Sequence, residues 1–221
     1  MPSVPESLAG MTVAVLGGTG PQGRGLARRL ATAGVPVVIG SRSADRAAHT
    51  AADLPGEVSG ADNAGAAAAG DVVVVAVRWD GHGDLLTSLK AELAGKVVVD
   101  CVNPLGFDKY GAYALQVEEG SAAQQAQSIL SDSTVVGAFH NVSAVLLEDP
   151  EVESLDTDVL VLGDVREATD LVRDLCGMIP GVRGIYGGRL RNAHQVEALT
   201  ANLISVNRRY QAHAGVRITD V

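Results

Sequence analysis

The feature that most constrains this chain lies near its start. An apolar, β-branched run at residues 11–16 passes directly into the glycine-rich turn 17–23, Gly-Gly-Thr-Gly-Pro-Gln-Gly, and a helical pattern follows at 24–33. Gly18, Gly20 and Gly23 supply a G-x-G-x-x-G spacing. In a strand–turn–helix context each glycine has a task. Gly18 permits the tight turn, Gly20 lets backbone approach a pyrophosphate, and Gly23 lets the helix lie close on the strand. The free N–H groups at the helix start then face phosphate charge. The spacing alone is weak, but its place between a strand and a helix points to dinucleotide binding.

The second strand, expected at 35–40, decides which dinucleotide. A carboxylate just beyond it would bind a ribose 2′-hydroxyl. This chain has Ser41-Arg42 there, with Arg46 one helical turn on. A hydroxyl and two guanidinium groups attract a 2′-phosphate, and a guanidinium grips it bidentately. Asp45 falls where it favours the start of the next helix. The expected nucleotide is NADP(H).

Composition agrees with an enzyme domain carrying a substantial core. The chain has 221 residues and is 47% hydrophobic, mostly Ala and Val, with no stretch near the ~20 apolar residues of a membrane helix. Residues 1–10 have neither a basic nor an apolar signal region and read as a short lead-in. Cys101 and Cys176 have no metal or redox spacing, so two buried reduced thiols and a cytoplasmic location are expected, with no metal. The net charge of −9 argues against nucleic acid, and no membrane partner is expected. Against that acidity, residues 177–221 hold Arg183, Arg189, Arg191, Arg208, Arg209 and Arg217 but only Glu197 and Asp220.

Strands and helices alternate along the chain. Helices are expected at 45–53, 62–69, 83–93 and 121–130, and a weak strand at 57–59. Residues 71–77, 96–100 and 134–139 are near-continuous apolar runs of the kind found in parallel strands covered on both faces. The expected fold is α/β: a doubly wound, mostly parallel Rossmann sheet with a small C-terminal helical/αβ part. The domains are expected as a lead-in at 1–10, an NADP-binding Rossmann domain at 11–152 and a smaller closing domain at 153–221. In the last part, strands at 158–162 and 182–186 flank a helix at 166–178. A final helix carries Val196, Leu199, Leu203, Val206 and Tyr210 as one apolar stripe, with Ala193 upstream. That stripe needs a partner surface.

These segments resemble the coenzyme-F420-dependent NADP reductases. The resemblance covers nearly the whole chain and is carried by residues 15–23, Gly40-Ser-Arg42, Arg78-Trp79, His140 after the Val-Val-Gly-Ala-Phe run, and Asn192 with 196–200 on the last helix. It implies an oxidoreductase passing hydride reversibly between reduced coenzyme F420 and NADP+, most simply as a homodimer. Carried onto this chain, it places Thr19, Gly20, Pro21 and Gln22 on the NADP phosphates and Ser41, Arg42 and Arg46 on the 2′-phosphate. Trp79 and Ala144 match positions lining that cofactor. His140 and Val142 match positions beside the deazaflavin ring. No catalytic side chain is obligatory, because both reacting atoms belong to cofactors; His140 is the candidate for orienting a ring. The F420 tail is anionic, and Arg189, Arg191, Arg208 and Arg209 are candidates for attracting it.

Two other readings stay open on the residues. An NADPH-dependent reductase of a small imine or carbonyl would need a proton donor beside the reacting carbon. The chain has only Lys90, Lys96 and Lys109, no tyrosine with lysine four places on, and His194 or Glu197 as possible helpers. A non-catalytic NADP(H) sensor would need no acid or base, but leaves the polar-studded last helix without a task.

Overall fold

The computed structural model describes residues 4–221; the first three residues of the expected lead-in lie outside it. Eight strands form one sheet. The first half comprises β1 (Val13–Leu16), β2 (Val37–Ser41), β3 (Val58–Asp62), β4 (Val72–Val75) and β5 (Val97–Asp100). A separate hairpin follows, β6 (Leu105–Asp108) and β7 (Gly111–Ala114), and the sheet resumes with β8 (Thr134–Gly137), β9 (Thr157–Gly163) and β10 (Val182–Gly188). The strand order is β10-β9-β8-β5-β4-β1-β2-β3. All neighbours pair in parallel except β8 and β9. Val13, Ala14, Val15 and Leu16 are buried on both faces, as are Val72 to Val75. An uninterrupted apolar run is what such a strand requires.

The helices are α1 (Pro21–Thr32), α2 (Ala44–Ala52), α3 (Asn63–Ala69), α4 (His82–Ser88), α5 (Lys90–Leu93), α6 (Ala122–Ile129), α7 (Ala144–Glu148), α8 (Arg166–Gly177) and α9 (Ala193–Tyr210). They divide into two layers. One core cluster packs α1, α2 and α8 on one face, and a second packs α3 to α6 and the start of α9 on the other. The expected doubly wound sheet is therefore present, and the C-terminal strands extend it. The expected crossover helix at 83–93 is broken at Leu89 into α4 and α5. The Glu6–Leu8 turn is part of the packed structure, since Leu8 is buried in the core.

The glycine loop folds as its spacing requires, with one reassignment. Gly17, not Gly18, takes the left-handed conformation, at φ +76°. A β-carbon on Gly18 would sit 2.5 Å from Cβ of Ile39, so Gly18 serves the contact with β2. A β-carbon on Gly23 would lie 2.6 Å from the Gly17 carbonyl oxygen and 2.9 Å from Gly18 Cα, backbone atoms that cannot swing aside. Around Gly20 the nearest atom is 3.3 Å away. Gly23→Ala is therefore expected to cost about 1–3 kcal/mol as overpacking, and Gly20→Ala no more than about 1 kcal/mol as a poorer N-cap. Urea denaturation midpoints measure both; equal midpoints would remove the packing role of Gly23.

Candidate active site

Strand order reverses between β1 and β4, and the glycine loop lies at the carboxyl ends of these strands, where open α/β sheets bind ligands. The Gly18 N–H donates to the Gly40 carbonyl at 3.1 Å, which fixes the glycine loop beside the end of β2. Ser41 is buried there, while Arg42 and Arg46 are exposed. Ser43 caps α2 by accepting from the Arg46 N–H, and Asp45 stands in the first turn. On the other side, a β-carbon on Gly17 would meet the Ala76 carbonyl oxygen at 2.5 Å, so the loop also abuts the end of β4. Trp79 lies just beyond, half-buried, with its ring 5.6 Å from that of His82.

The start of α1 is left open to an anion. Gly20 is its N-cap, no side chain caps it, and the first turn carries no acid. Its first N–H groups have no intrahelical acceptor. This is a cradle that a phosphate fits.

The segment after β8 closes the crevice. The expected strand to Phe139 stops at Gly137, because Phe139 turns to φ +62°. Three consecutive residues of the resulting turn are pinned from different parts of the chain. Gln22 Nε2 donates to the Phe139 carbonyl at 3.2 Å. Asn103 Nδ2 and Thr200 Oγ1 both donate to the His140 carbonyl at 3.0 Å. Asn141 Nδ2 donates to the Asp158 carbonyl at 2.8 Å. The His140 ring is buried over Gly137, and among the described residues neither ring nitrogen has a partner, nor do Oδ1 of Asn103 and Asn141. Burial pushes the His140 imidazole down to about 4, only partly offset by the Asp100 charge, so it is neutral at pH 7. Val142 is buried and Ala144, at the start of α7, half-buried. The structure thus brings together the glycine loop, Ser41, Arg42, Arg46, Trp79, His140, Val142 and Ala144 along one edge of the sheet.

Sequence reasoning missed the buried His82–Asp100 pair beneath this edge and the structural use of Glu197. His82 Nε2 lies 2.7 Å from Asp100 Oδ2, both fully buried, and His82 Nδ1 lies 3.1 Å from Gln125 Oε1. Burial lowers the His82 pKa, but the Asp100 charge and hydrogen bond, with Gln125 and Glu197, outweigh it and leave the imidazole above its ordinary value. The signal was Asp100 itself, a charge ending an apolar strand, which must find a partner. Glu197 of α9 is buried, and its two oxygens accept from the Ala122 and Ala123 N–H groups at 2.9 and 3.1 Å, docking α9 on the start of α6. Also unforeseen was Arg29, buried on α1, which donates to the carbonyls of Leu146, Leu147, Asp149 and Val152 and holds α7 against α1.

The arginines of the C-terminal segment do not form one patch. Arg183 and Arg217 bind Asp158. Arg189 pairs with Asp164 past the end of β9, which runs against its neighbour β8. A cavity of about 430 Å³ opens there, but its other arginines, Arg166 and Arg173, are paired with Asp170. Arg208 and Arg209 stand apart, exposed on the last turn of α9.

A reversing parallel sheet with an uncapped glycine-loop helix at its switch point defines the class of dinucleotide-binding Rossmann proteins. Comparison with known proteins gives the family. Residues 12–104 match the family model described as NADP oxidoreductase, coenzyme F420-dependent. The F420-dependent NADP reductase of Methanothermobacter thermautotrophicus is 39% identical over 223 residues, covering 96% of each chain. That of Methanocaldococcus jannaschii is 38% identical over 224 residues, covering 96% of this chain and 99% of its own. A solved structure from Arthrobacter sp. FB24, assigned as an F420-dependent NADP-reductase, is similar with a TM-score of 0.83 and 29% identity, over 95% of this chain and 100% of that one. The chain belongs to the F420-dependent NADP reductase family.

Burial raises the Glu197 carboxyl to about 7 against the two backbone N–H bonds that lower it; Asp100 adds to the rise and His82 opposes it. A raised carboxyl favours the protonated form in the fold. Its contribution to stability is complete below the ordinary value of 4.5 and is lost as pH rises through about 7. Glu197→Gln carries no such loss. Its melting temperature relative to the native chain is expected to rise between about pH 5 and about pH 8; a constant difference across that range would contradict the assignment.

Proposed function

We propose that this chain transfers hydride reversibly between reduced coenzyme F420 and NADP+. The observation that carries the reading is full-length similarity, at 39% identity, to a relative named F420-dependent NADP reductase. When both are bound, nicotinamide C4 and deazaflavin C5 supply the donor and acceptor of the hydride. The chain's part is to align two rings in contact and keep water out.

In this reading Gly18, Thr19, Gly20, Pro21, Gln22 and Gly23 form the phosphate cradle, and Ser41, Arg42 and Arg46 hold the 2′-phosphate. Trp79 and Ala144 line the nicotinamide half. His140 and Val142 form the deazaflavin side, where the unpartnered atoms of His140, Asn103 and Asn141 are hydrogen-bonding capacity gathered in one turn. A neutral His140 can donate one hydrogen bond and accept another, and the proton that F420H2 releases along with the hydride goes to solvent. Glu197 is buried with both oxygens on backbone N–H groups at the start of α6, so its carboxyl is committed to the α6–α9 contact rather than to an imine or carbonyl substrate. That disfavours the small-substrate reading.

The same proposal includes a homodimer in the cytoplasm. The stripe on α9 is buried at Val196, half-buried at Leu199 and Leu203, and exposed at Val206 and Tyr210. Phe107, Tyr110 and Tyr113 of the hairpin, which packs against α9, are exposed too. A second copy covering this face would remove a run of apolar surface from water.

Mixing the protein with NADPH and oxidised F420 is expected to bleach the deazaflavin's visible absorbance at the rate NADPH is consumed. Unchanged absorbance would sink the reading. Arg42→Ala removes charge-assisted hydrogen bonds worth roughly 1.5–3 kcal/mol. Discrimination between NADP(H) and NAD(H) is therefore expected to fall about tenfold or more, with NAD(H) binding nearly unaffected. Equal losses for both nucleotides in a binding titration would remove Arg42 from the 2′-phosphate.

A further inference from the structure

After α9 the chain reverses. Gln211 adopts φ +52°, and Asn207 Oδ1 accepts from the Ala214 N–H at 2.6 Å. Residues 214–218 then run as a strap beside the start of β9. The Asp158 N–H donates to the Val216 carbonyl at 2.7 Å, and the Val216 N–H donates to Thr157 Oγ1 at 3.2 Å. The Asp158 carboxylate is fully buried and accepts four hydrogen bonds. Arg183 gives two through Nε and Nη2, at 2.7 and 2.6 Å. Arg217 Nη1 and the Ile218 N–H give one each at 2.7 Å. Arg183 also reaches forward to the carbonyls of Ile218 and Val221, both at 2.9 Å. A charge of this kind would be costly to bury without so full a set of partners.

The remaining polar atom of Asp158, its carbonyl oxygen, accepts from Asn141 Nδ2. Strap, carboxylate and the turn after β8 therefore meet in one residue. We propose that Asp158 and the strap clamped on it by Arg217 are positioning residues for the 139–141 turn, setting the deazaflavin side of the site from the far end of the chain. The proposal rests on the F420 reading above for its effect on activity, and on geometry alone for its effect on the turn. The strap alternates half-buried and exposed residues, its arginine is half-exposed, and none of its residues belongs to either core cluster. One polar route from the strap to the site runs through Asp158 to Asn141, and another runs through Asn207 to α9, which carries Thr200. Asn141 commits its amide N–H₂ to that carbonyl, which leaves Oδ1 directed elsewhere and unpartnered. Loosening the strap frees the amide to rotate and the turn to open on that side, while Gln22, Asn103 and Thr200 still hold the other two carbonyls.

Two substitutions displace the strap by different means. Arg217→Ala removes its pairs with Asp158 and Asp156 and leaves the Arg183 fork in place. Gly215→Ala adds a β-carbon 2.4 Å from Thr157 Oγ1 without touching any charge. Arg217→Lys keeps a cation and serves as the conservative control. In both displacing variants the KM for F420 is expected to rise roughly three- to tenfold, with NADPH affinity within about twofold of native. Amide hydrogen exchange in a peptide spanning 137–147 is expected to quicken, and Arg217→Lys to restore most of the difference. Parallel losses in F420 and NADPH affinity that track a fall in melting temperature would make the strap merely structural and overturn the proposal. Unchanged exchange at 137–147 would overturn it as well. Absence of F420 reduction by the native protein would instead remove the F420 reading, and the exchange measurement would still decide the strap.

Discussion

The contact on which the rest depends is the approach of α1 to its own loop at Gly17 and Gly23. Gly17 supplies the left-handed turn, and the missing side chain of Gly23 lets the first turn of the helix rest on the Gly17 carbonyl. This places an uncapped helix start at the gap between β1 and β4, where partial positive charge faces outward. It also sets the line of α1, and Arg29, nearly two turns on, gathers four carbonyls of 146–152 onto that line. The nucleotide cradle and the segment after β8 are thereby held by the same helix.

The turn at 139–141 is where the two halves of the site are coupled. Its carbonyls are taken by the glycine loop through Gln22, by the segment after β5 through Asn103 and by α9 through Thr200, and its Asn141 amide by β9. A left-handed phenylalanine is costly and persists only where its surroundings overdetermine it. Here they do. Beneath the turn, the buried His82–Asp100 pair and the capping Glu197 fix α4, α6 and α9 to the end of β5 without presenting an acid or base to the crevice.

Much of this was legible in residues. Parallel strands buried on both faces must be apolar throughout, so β1, β4, β5 and β8 were visible as Val-rich runs, and helices were read from Asp62 and Ser121, the residues that cap α3 and α6. The reversed direction of β9 was not visible, because a buried strand reads alike either way. The 105–114 hairpin was overlooked although Asp108 and Gly111, the latter at φ +125°, are turn residues; its alternation is short and its aromatics face outward. At the site, the nucleotide side was legible because phosphate chemistry demands particular residue types. His82, Asp100 and Arg29 were not, because a buried polar group is recognised only when its partner, distant in sequence, is known. The count of C-terminal arginines likewise did not show that Arg183 and Arg217 are taken by Asp158.

The central claim is that the chain aligns two cofactors for direct hydride transfer and contributes no proton carrier at the reacting atoms. Isotope tracing tests this most directly. NADPH deuterated at the transferred C4 position is mixed with oxidised F420 and the protein in ordinary water, and the reduced deazaflavin is examined by mass spectrometry and NMR. The account predicts one deuterium per F420H2, bound at C5, with none released to solvent. Deuterium appearing in the water, with protium at C5, would show that a group of the protein carries the hydrogen between the rings and would contradict the account.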